Sequence, residues 1–215
     1  MYQTIIFDLD GTLLDTLADI HAALNTTLAA FKLPVYSAMQ VRSMVGNGLP
    51  ELLRTAAPQL DEATHAQALA MLRKHYLDTP HTHTQPYPGI VALLADLKNS
   101  GIKLAVLTNK MHAVSVQIVE HFFPGMFHAI QGEQAGLARK PSPAGIERLL
   151  KVLHCTISQT VFVGDGETDC RAALAAGMDY IGVSWGFRAT EQLMQAGAGF
   201  ICNTVPELRK KLFSS

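Results

Sequence analysis

Two aspartates one residue apart, Asp8 and Asp10, close the apolar run Ile5-Ile6-Phe7 and lead into Gly11-Thr12-Leu13-Leu14-Asp15-Thr16. A β-strand carries its side chains with a period of two, so both carboxylates leave the same face while Leu9 turns back to the core. A buried pair of like charges is costly unless a cation neutralises it or one member keeps a proton, and either remedy is a chemical function. Gly11 permits a sharp turn straight after the second carboxylate, and the Thr12 hydroxyl can tie that turn. The stretch reads as a metal and phosphate site. For a lone Asp-x-Asp a solvated acidic turn is the favoured reading, so the rest of the chain has to decide.

Three later stretches carry comparable chemistry. Thr108-Asn109 follows the run Ile102-Lys103-Leu104-Ala105-Val106-Leu107, presenting a hydroxyl and an amide at a strand end, where a helix cap is the plainer reading. Lys140-Pro141 precedes a proline-started helix, where a lysine is ordinarily a surface charge. Val163-Gly164-Asp165-Gly166-Glu167-Thr168-Asp169 puts Asp165 at a strand tip and Asp169 one helical turn later.

The elements that must position these residues follow from periodicity. Thr16, capped with Asp19, opens a helix whose apolar positions Ile20, Ala23, Leu24, Leu28 and Phe31 recur until Leu33-Pro34. Ser37 with Gln40 caps a second helix, Val45-Gly46-Asn47-Gly48 interrupts, a third helix runs through Leu52-Leu53, and a fourth starts near Asp61. Residues 16–80 thus hold helices only, an all-helical cap domain inserted into a core domain of residues 1–15 and 81–215. The polar linker His81 to Gly89 returns the chain to the core. His81 and His83 could face one way toward a metal, but two ligands without a third are ordinarily solvated histidines. Beyond it, helix and strand alternate, with strands expected at 102–107, 127–130, 160–163, 180–183 and 200–202 and helices around 112–122, 143–153, 168–176, 190–196 and 205–213. The fold class is therefore α/β, a Rossmann-like, mostly parallel sheet flanked by helices, with ligands beyond the carboxyl ends of its strands.

Composition narrows the partners. The 215 residues carry a formal charge of −1 and are 48% apolar and 16% charged, with no basic field for nucleic acid. No basic leader or membrane-length apolar segment is present, so a cytoplasmic protein without membrane contact is expected, as a monomer or weak homodimer. Cys155, Cys170 and Cys202 are odd in number and lack metal spacing, and read as reduced core thiols.

In this order, Asp8-Leu9-Asp10-Gly11-Thr12, then strand and Thr108, then Lys140-Pro141, then Gly164-Asp165 with Asp169, the chain resembles the phosphatase branch of the haloacid dehalogenase-like superfamily along its whole length. The helical insertion after the first motif is similar to that branch's helical-cap subgroup, and the whole chain to the phosphoglycolate phosphatase-like members. The resemblance implies an aspartyl-phosphate mechanism. Asp8 is the nucleophile and Asp10 the general acid and base. Asp8, the carbonyl of Asp10 and Asp165 hold Mg²⁺, with Asp169 orienting that shell. Thr108 binds a phosphoryl oxygen, and Lys140 neutralises the phosphoryl group and Asp8. Four carboxylates against Lys140 and Mg²⁺ leave one negative charge, a balance that closes if Asp10 carries a proton. One position departs from the pattern: Gly166 stands where the family usually has Ser.

The implied substrate is a small phosphorylated metabolite, with 2-phosphoglycolate the first choice and pyrophosphate or a short phosphate ester the alternatives. Asn109, Gly46, Asn47, Gly48 and Arg54 are the candidate substrate contacts. The loop glycines would let cap amides reach a small carboxylate, although connecting two helices explains them as well. Arg42 and Arg54 are more often solvated helix charges. A signalling receiver shares the aspartates, Thr and Lys but needs no helical insertion. A sugar phosphomutase of this type would place a histidine where Ile20 stands. A phosphonate-cleaving relative would need a cap lysine near Gly46–Gly48, and a dehalogenase would have no use for Asp10 and the metal ligands.

Overall fold

Alternate residues of the first strand serve opposite faces of one sheet: Ile5 and Phe7 pack into one core cluster with Leu93, Leu94, Ile118 and Leu208, and Ile6 into another with Ile146, Leu149, Cys170 and Ala173. In this computed structural model, which describes residues 2–78 and 82–214, a sheet with helices on both faces forms the core. Its strands are β1 (Thr4–Phe7), β4 (Lys103–Met111), β5 (Ala129–Glu133), β6 (Thr160–Gly164), β7 (Asp179–Val183) and β8 (Ile201–Cys202), all parallel, in the order β5-β4-β1-β6-β7-β8. β2 (Leu14–Asp15) and β3 (Gln85–Pro86) form a separate ribbon, pairing antiparallel where the chain leaves the sheet and returns to it.

The order is that of a Rossmann-like doubly wound sheet, in which the strand sequence reverses direction beside β1. β1 runs between β4 and β6, so the loops after all three open into one crevice at their carboxyl ends. Helices α5 (Ile90–Asn99), α6 (His112–Phe122) and α10 (Val205–Ser214) bury Leu97, Val114 and Leu212 on one face, and α7 (Ala144–Leu153) and α8 (Glu167–Ala175) bury Leu153 and Ala172 on the other. α9 (Thr190–Gln195) precedes the last strand.

Between β2 and β3 the described chain is helical: α1 (Leu17–Ala30), α2 (Ala38–Met44), α3 (Gly48–Ala56) and α4 (Glu62–Asp78). Leu24, Leu28, Val41, Leu53 and Leu72 are fully buried among them, each contributing about 1.5–3 kcal/mol relative to exposure. Ser37 and Gln40 form the expected capping box. Thr16 and Asp19 do not. The Thr16 hydroxyl makes no cap bond, and the buried Asp19 carboxylate accepts from the backbone N–H groups of His83 and Thr84 and from the Thr84 hydroxyl at 2.6 Å. α1 is thereby tied to the returning linker, a bond across 65 residues that no local pattern announces. His81 lies outside the described residues.

Two strand boundaries differ from the periodicity. β4 continues past Leu107 through Thr108-Asn109-Lys110 to Met111, with an irregular register against β5. β5 starts at Ala129, because Phe127 packs edge-on to Phe123 at 6.0 Å ahead of the strand. No helix among the described residues is long and apolar enough to cross a membrane.

Candidate active site

Three carboxylates meet where β1 and β6 end. Asp8, Asp165 and Asp169 are buried, and each offers an oxygen within 4.8 Å of the others'. Their positions are over-determined by the turns that carry them. Gly11 sits at φ +87°, and a Cβ there would lie 2.3 Å from Asp165 Oδ2, so only glycine lets the loop after β1 pass this close. Thr12 was expected to tie its own turn; its hydroxyl instead donates to Asp165 Oδ1 at 2.8 Å, while the Phe187 N–H donates to Asp165 Oδ2 at 2.7 Å. The Gly166 N–H donates to Asp169 Oδ2 at 2.9 Å, so the backbone of this residue, which has no side chain to offer, still anchors the carboxylate.

Lys140 is the cation of this chamber. Its Nζ stands 2.8 Å from Asp8 Oδ1 and 2.6 Å from Asp169 Oδ1, and donates to the carbonyl of Leu107 at 3.0 Å. Burial opposes its charge, but Asp169 and Asp8 outweigh that and hold its pKa above the ordinary lysine value. Asp8 is pushed well above the usual carboxylate range by burial and by Asp169, against the pull of Lys140. Asp165 is raised to about 7 by burial and Asp169, despite its two hydrogen bonds.

A second ion pair lines the neighbouring part of the cleft. Lys110 Nζ lies 2.7 Å from Asp10 Oδ1 and 4.7 Å from the ring centre of Tyr76, which reaches in from α4. Burial opposes the Lys110 charge as well, and Asp10 and Tyr76 overcome it and raise its pKa. The sequence reading missed Lys110. Counted formally, four carboxylates against Lys110 and Lys140 leave two negative charges, the complement of one divalent cation. Asp8 Oδ1 and Asp169 Oδ1 face the Lys140 ammonium, and the three clustered carboxylates of Asp8, Asp165 and Asp169 are the hard oxygen donors that suit such an ion.

The remaining predicted residues divide. Thr108 lines the cleft, and its hydroxyl accepts from the Lys110 N–H at 3.2 Å. Asn109 also lines it, but its amide is engaged with backbone: Nδ2 donates to the carbonyls of Gly46 and Lys140, and Oδ1 accepts from the Lys140 N–H. Its expected contact with substrate gives way to fixing Lys140 and the cap loop. Gly46 and Gly48 form part of the cleft wall and Asn47 covers the carboxylate chamber. Arg54 is not brought to the site. It is exposed on α3 and pairs with Glu62 at 3.3 Å, because its helix turns the opposite side, Leu49 and Leu52, to the cleft.

Side chains on or after the sheet strands hold the segment from Arg42 to Asn47 by its carbonyls. Arg188 donates to the carbonyls of Arg42 and Val45 and pairs with Glu167 at 2.9 Å, Arg139 donates to the Asn47 carbonyl, and Asn109 to that of Gly46. Arg42 reciprocates from α2 by donating to the carbonyls of Gly186 and Phe187. The far wall of the cleft, from the cap and the end of β4, is apolar: Ile20, Val45, Leu49, Leu52 and Met111. Where Ile20 faces the cleft, His21 points away and bonds the carbonyl of Tyr36.

Residues 5–183 match the family of haloacid dehalogenase-like hydrolases. The phosphoglycolate phosphatase of Pseudomonas syringae pv. syringae (strain B728a) is 32% identical over 215 residues, covering 97% of this chain and 78% of that protein. That of Aquifex aeolicus is 35% identical over 186 residues, 86% of each chain. The crystal structure of a predicted phosphatase from Clostridium acetobutylicum superposes with a TM-score of 0.91 at 32% identity, covering all of both chains.

Proposed function

The chain belongs to the haloacid dehalogenase-like hydrolases and is a phosphatase, and we propose that it hydrolyses a small phosphorylated metabolite, 2-phosphoglycolate first among them, through a phosphoryl group carried on Asp8. The observation that supports this most is the sharing of one cleft by two differently paired carboxylates, Asp8 against Lys140 and Asp10 against Lys110. In this reading Asp8 attacks and Asp10 moves a proton.

In this reading a carboxylate oxygen of Asp8 attacks phosphorus, the ester bond breaks, and Asp10 gives its proton to the departing oxygen. Asp10 then takes a proton from the water that attacks the phosphoryl group, releasing phosphate and restoring the Asp8 carboxylate. Thr108 donates to a phosphoryl oxygen, and Lys140 offsets its negative charge. Mg²⁺ would be held by Asp8, Asp165 and the carbonyl of Asp10, with Asp169 orienting that set, and when bound it neutralises the phosphoryl oxygens. Residues 16–80 act as a lid that turns on the β2–β3 ribbon, excluding bulk water during attack and admitting the hydrolytic water on opening.

The test is a screen of purified protein against small phosphomonoesters and pyrophosphate, with Mg²⁺ and with chelator. Mg²⁺-dependent turnover of an aryl phosphate that is abolished in Asp8→Asn is expected. Full activity in chelator or in Asp8→Asn would overturn the assignment. A tenfold preference for a hexose phosphate or nucleotide over 2-phosphoglycolate, ~1.4 kcal/mol in transition-state binding, would reject the substrate.

A further inference from the structure

We propose that Lys110 is the specificity-determining residue of the cleft. Its ammonium receives a negative group carried by the leaving part of the substrate, so the enzyme selects short phosphomonoesters whose leaving group is anionic over neutral alkyl or sugar phosphates. The inference rests on the phosphatase reading above and assigns the residue that recognises the far end of the substrate.

The cleft has two cations in its lining, and they are not equivalent. Lys140 is enclosed by Asp8, Asp169 and the Leu107 carbonyl, on the side where phosphorus must lie for Asp8 to reach it. Lys110 stands beside Asp10, the group that meets the ester oxygen, and is therefore next to whatever that oxygen leaves with. A lysine ammonium has three donors. One is on Asp10 at 2.7 Å and the ring of Tyr76 takes a second direction at 4.7 Å, so a third remains for the cleft that Lys110 lines.

The rest of that wall decides the class of ligand. Ile20, Val45, Leu49, Leu52 and Met111 offer no side-chain hydrogen bond to a polyol, so beyond the few polar groups of Tyr76 and the Gly46–Gly48 backbone, sugar hydroxyls brought here would give up water without a replacement. A single compact negative group beside the ester oxygen, a carboxylate or a second phosphate, needs one strong donor and finds it in Lys110. Because Tyr76 comes from the cap and Lys110 from the core, this half-site is complete only with the cap in place.

The experiment compares kcat/KM for 2-phosphoglycolate and pyrophosphate with that for 2-hydroxyethyl phosphate, a neutral compound of similar size, in the wild type and in Lys110→Met and Lys110→Arg. In the wild type, at least one anionic substrate should exceed the neutral one by tenfold or more. In Lys110→Met that ratio should fall at least tenfold, chiefly through KM, and Lys110→Arg should restore part of it. Loss of the support Lys110 gives Asp10 would lower all substrates together and leave the ratio unchanged; that result overturns the proposal. So does a wild-type ratio near one, which needs no variant and is immune to misfolding. Turnover of an aryl phosphate in the same preparation keeps failure of this inference separate from failure of the phosphatase reading.

Discussion

Metal-free protein should lose stability as pH rises from about 4 to about 7, the reverse of the usual behaviour of paired carboxylates. Asp165 has an ordinary value of 3.8 and is raised to about 7 in the fold by burial and by Asp169. Between those values the folded protein keeps a proton that the unfolded chain has released, so unfolding releases it and stability falls with rising pH. The difference corresponds to about 4 kcal/mol at ~1.4 kcal/mol per tenfold change, and for a chain of this size to roughly 8–16 °C in Tm. Asp8 moves in the same direction and adds to the slope. A divalent cation reverses the effect by holding the carboxylates ionised, and it does so best where no proton must first be expelled. Calorimetric melts in chelator from pH 5 to 8, repeated with Mg²⁺, should show a falling Tm without metal and a larger Mg²⁺ gain at pH 8 than at pH 5. Asp165→Asn should flatten the metal-free slope and so isolate this group from the histidines that titrate in the same range. A metal-free Tm that is level or rising over that interval, or equal Mg²⁺ gains at both ends, would refute the reasoning.

Three further outcomes follow from particular contacts. Arg188→Ala removes the bonds to the Arg42 and Val45 carbonyls and the pair with Glu167, so small-angle scattering should report a more open particle and KM should rise by about tenfold, ~1.4 kcal/mol. Asp19→Ala leaves the His83 and Thr84 donors without an acceptor in a buried place, which at about 1–3 kcal/mol for each orphaned group and incomplete additivity should cost about 3 kcal/mol in denaturant melts. Arg54→Ala breaks an exposed pair remote from the cleft; kcat/KM should stay unchanged and stability should move by less than about 0.5 kcal/mol.

What could be read before the structure was whatever a short window carries. The alternation of apolar runs with amphipathic helices located the sheet, and Asp8, Thr108, Lys140 and Asp165 drew notice because each stands at the end or start of an element. The Ser37–Gln40 cap was visible because both partners lie within one turn. Lys110 escapes a sequence reading because the apolar run ends at Leu107, whereas β4 carries the period of two onward from Thr108 to Lys110. That parity was the available signal. Asp19 looked like a helix cap because its acceptor role across 65 residues has no local signature. Arg42 and Arg188 bind carbonyls 143 to 146 residues away, and an arginine that bonds backbone demands no particular partner residue, so nothing in the sequence pairs them. Arg54 illustrates the opposite error: a charge near a glycine loop invites a binding role, and only the rotation of α3 shows which face meets the cleft.

The most direct test of the account is to trap the phosphoryl group. Mixing the enzyme and Mg²⁺ with substrate labelled in its phosphoryl group, quenching in acid within a turnover and mapping the peptides should yield a hydroxylamine-sensitive label on Asp8, formed and lost at rates that account for turnover. Phosphate release at the full rate with no label on Asp8, or with the label on another residue, would contradict it.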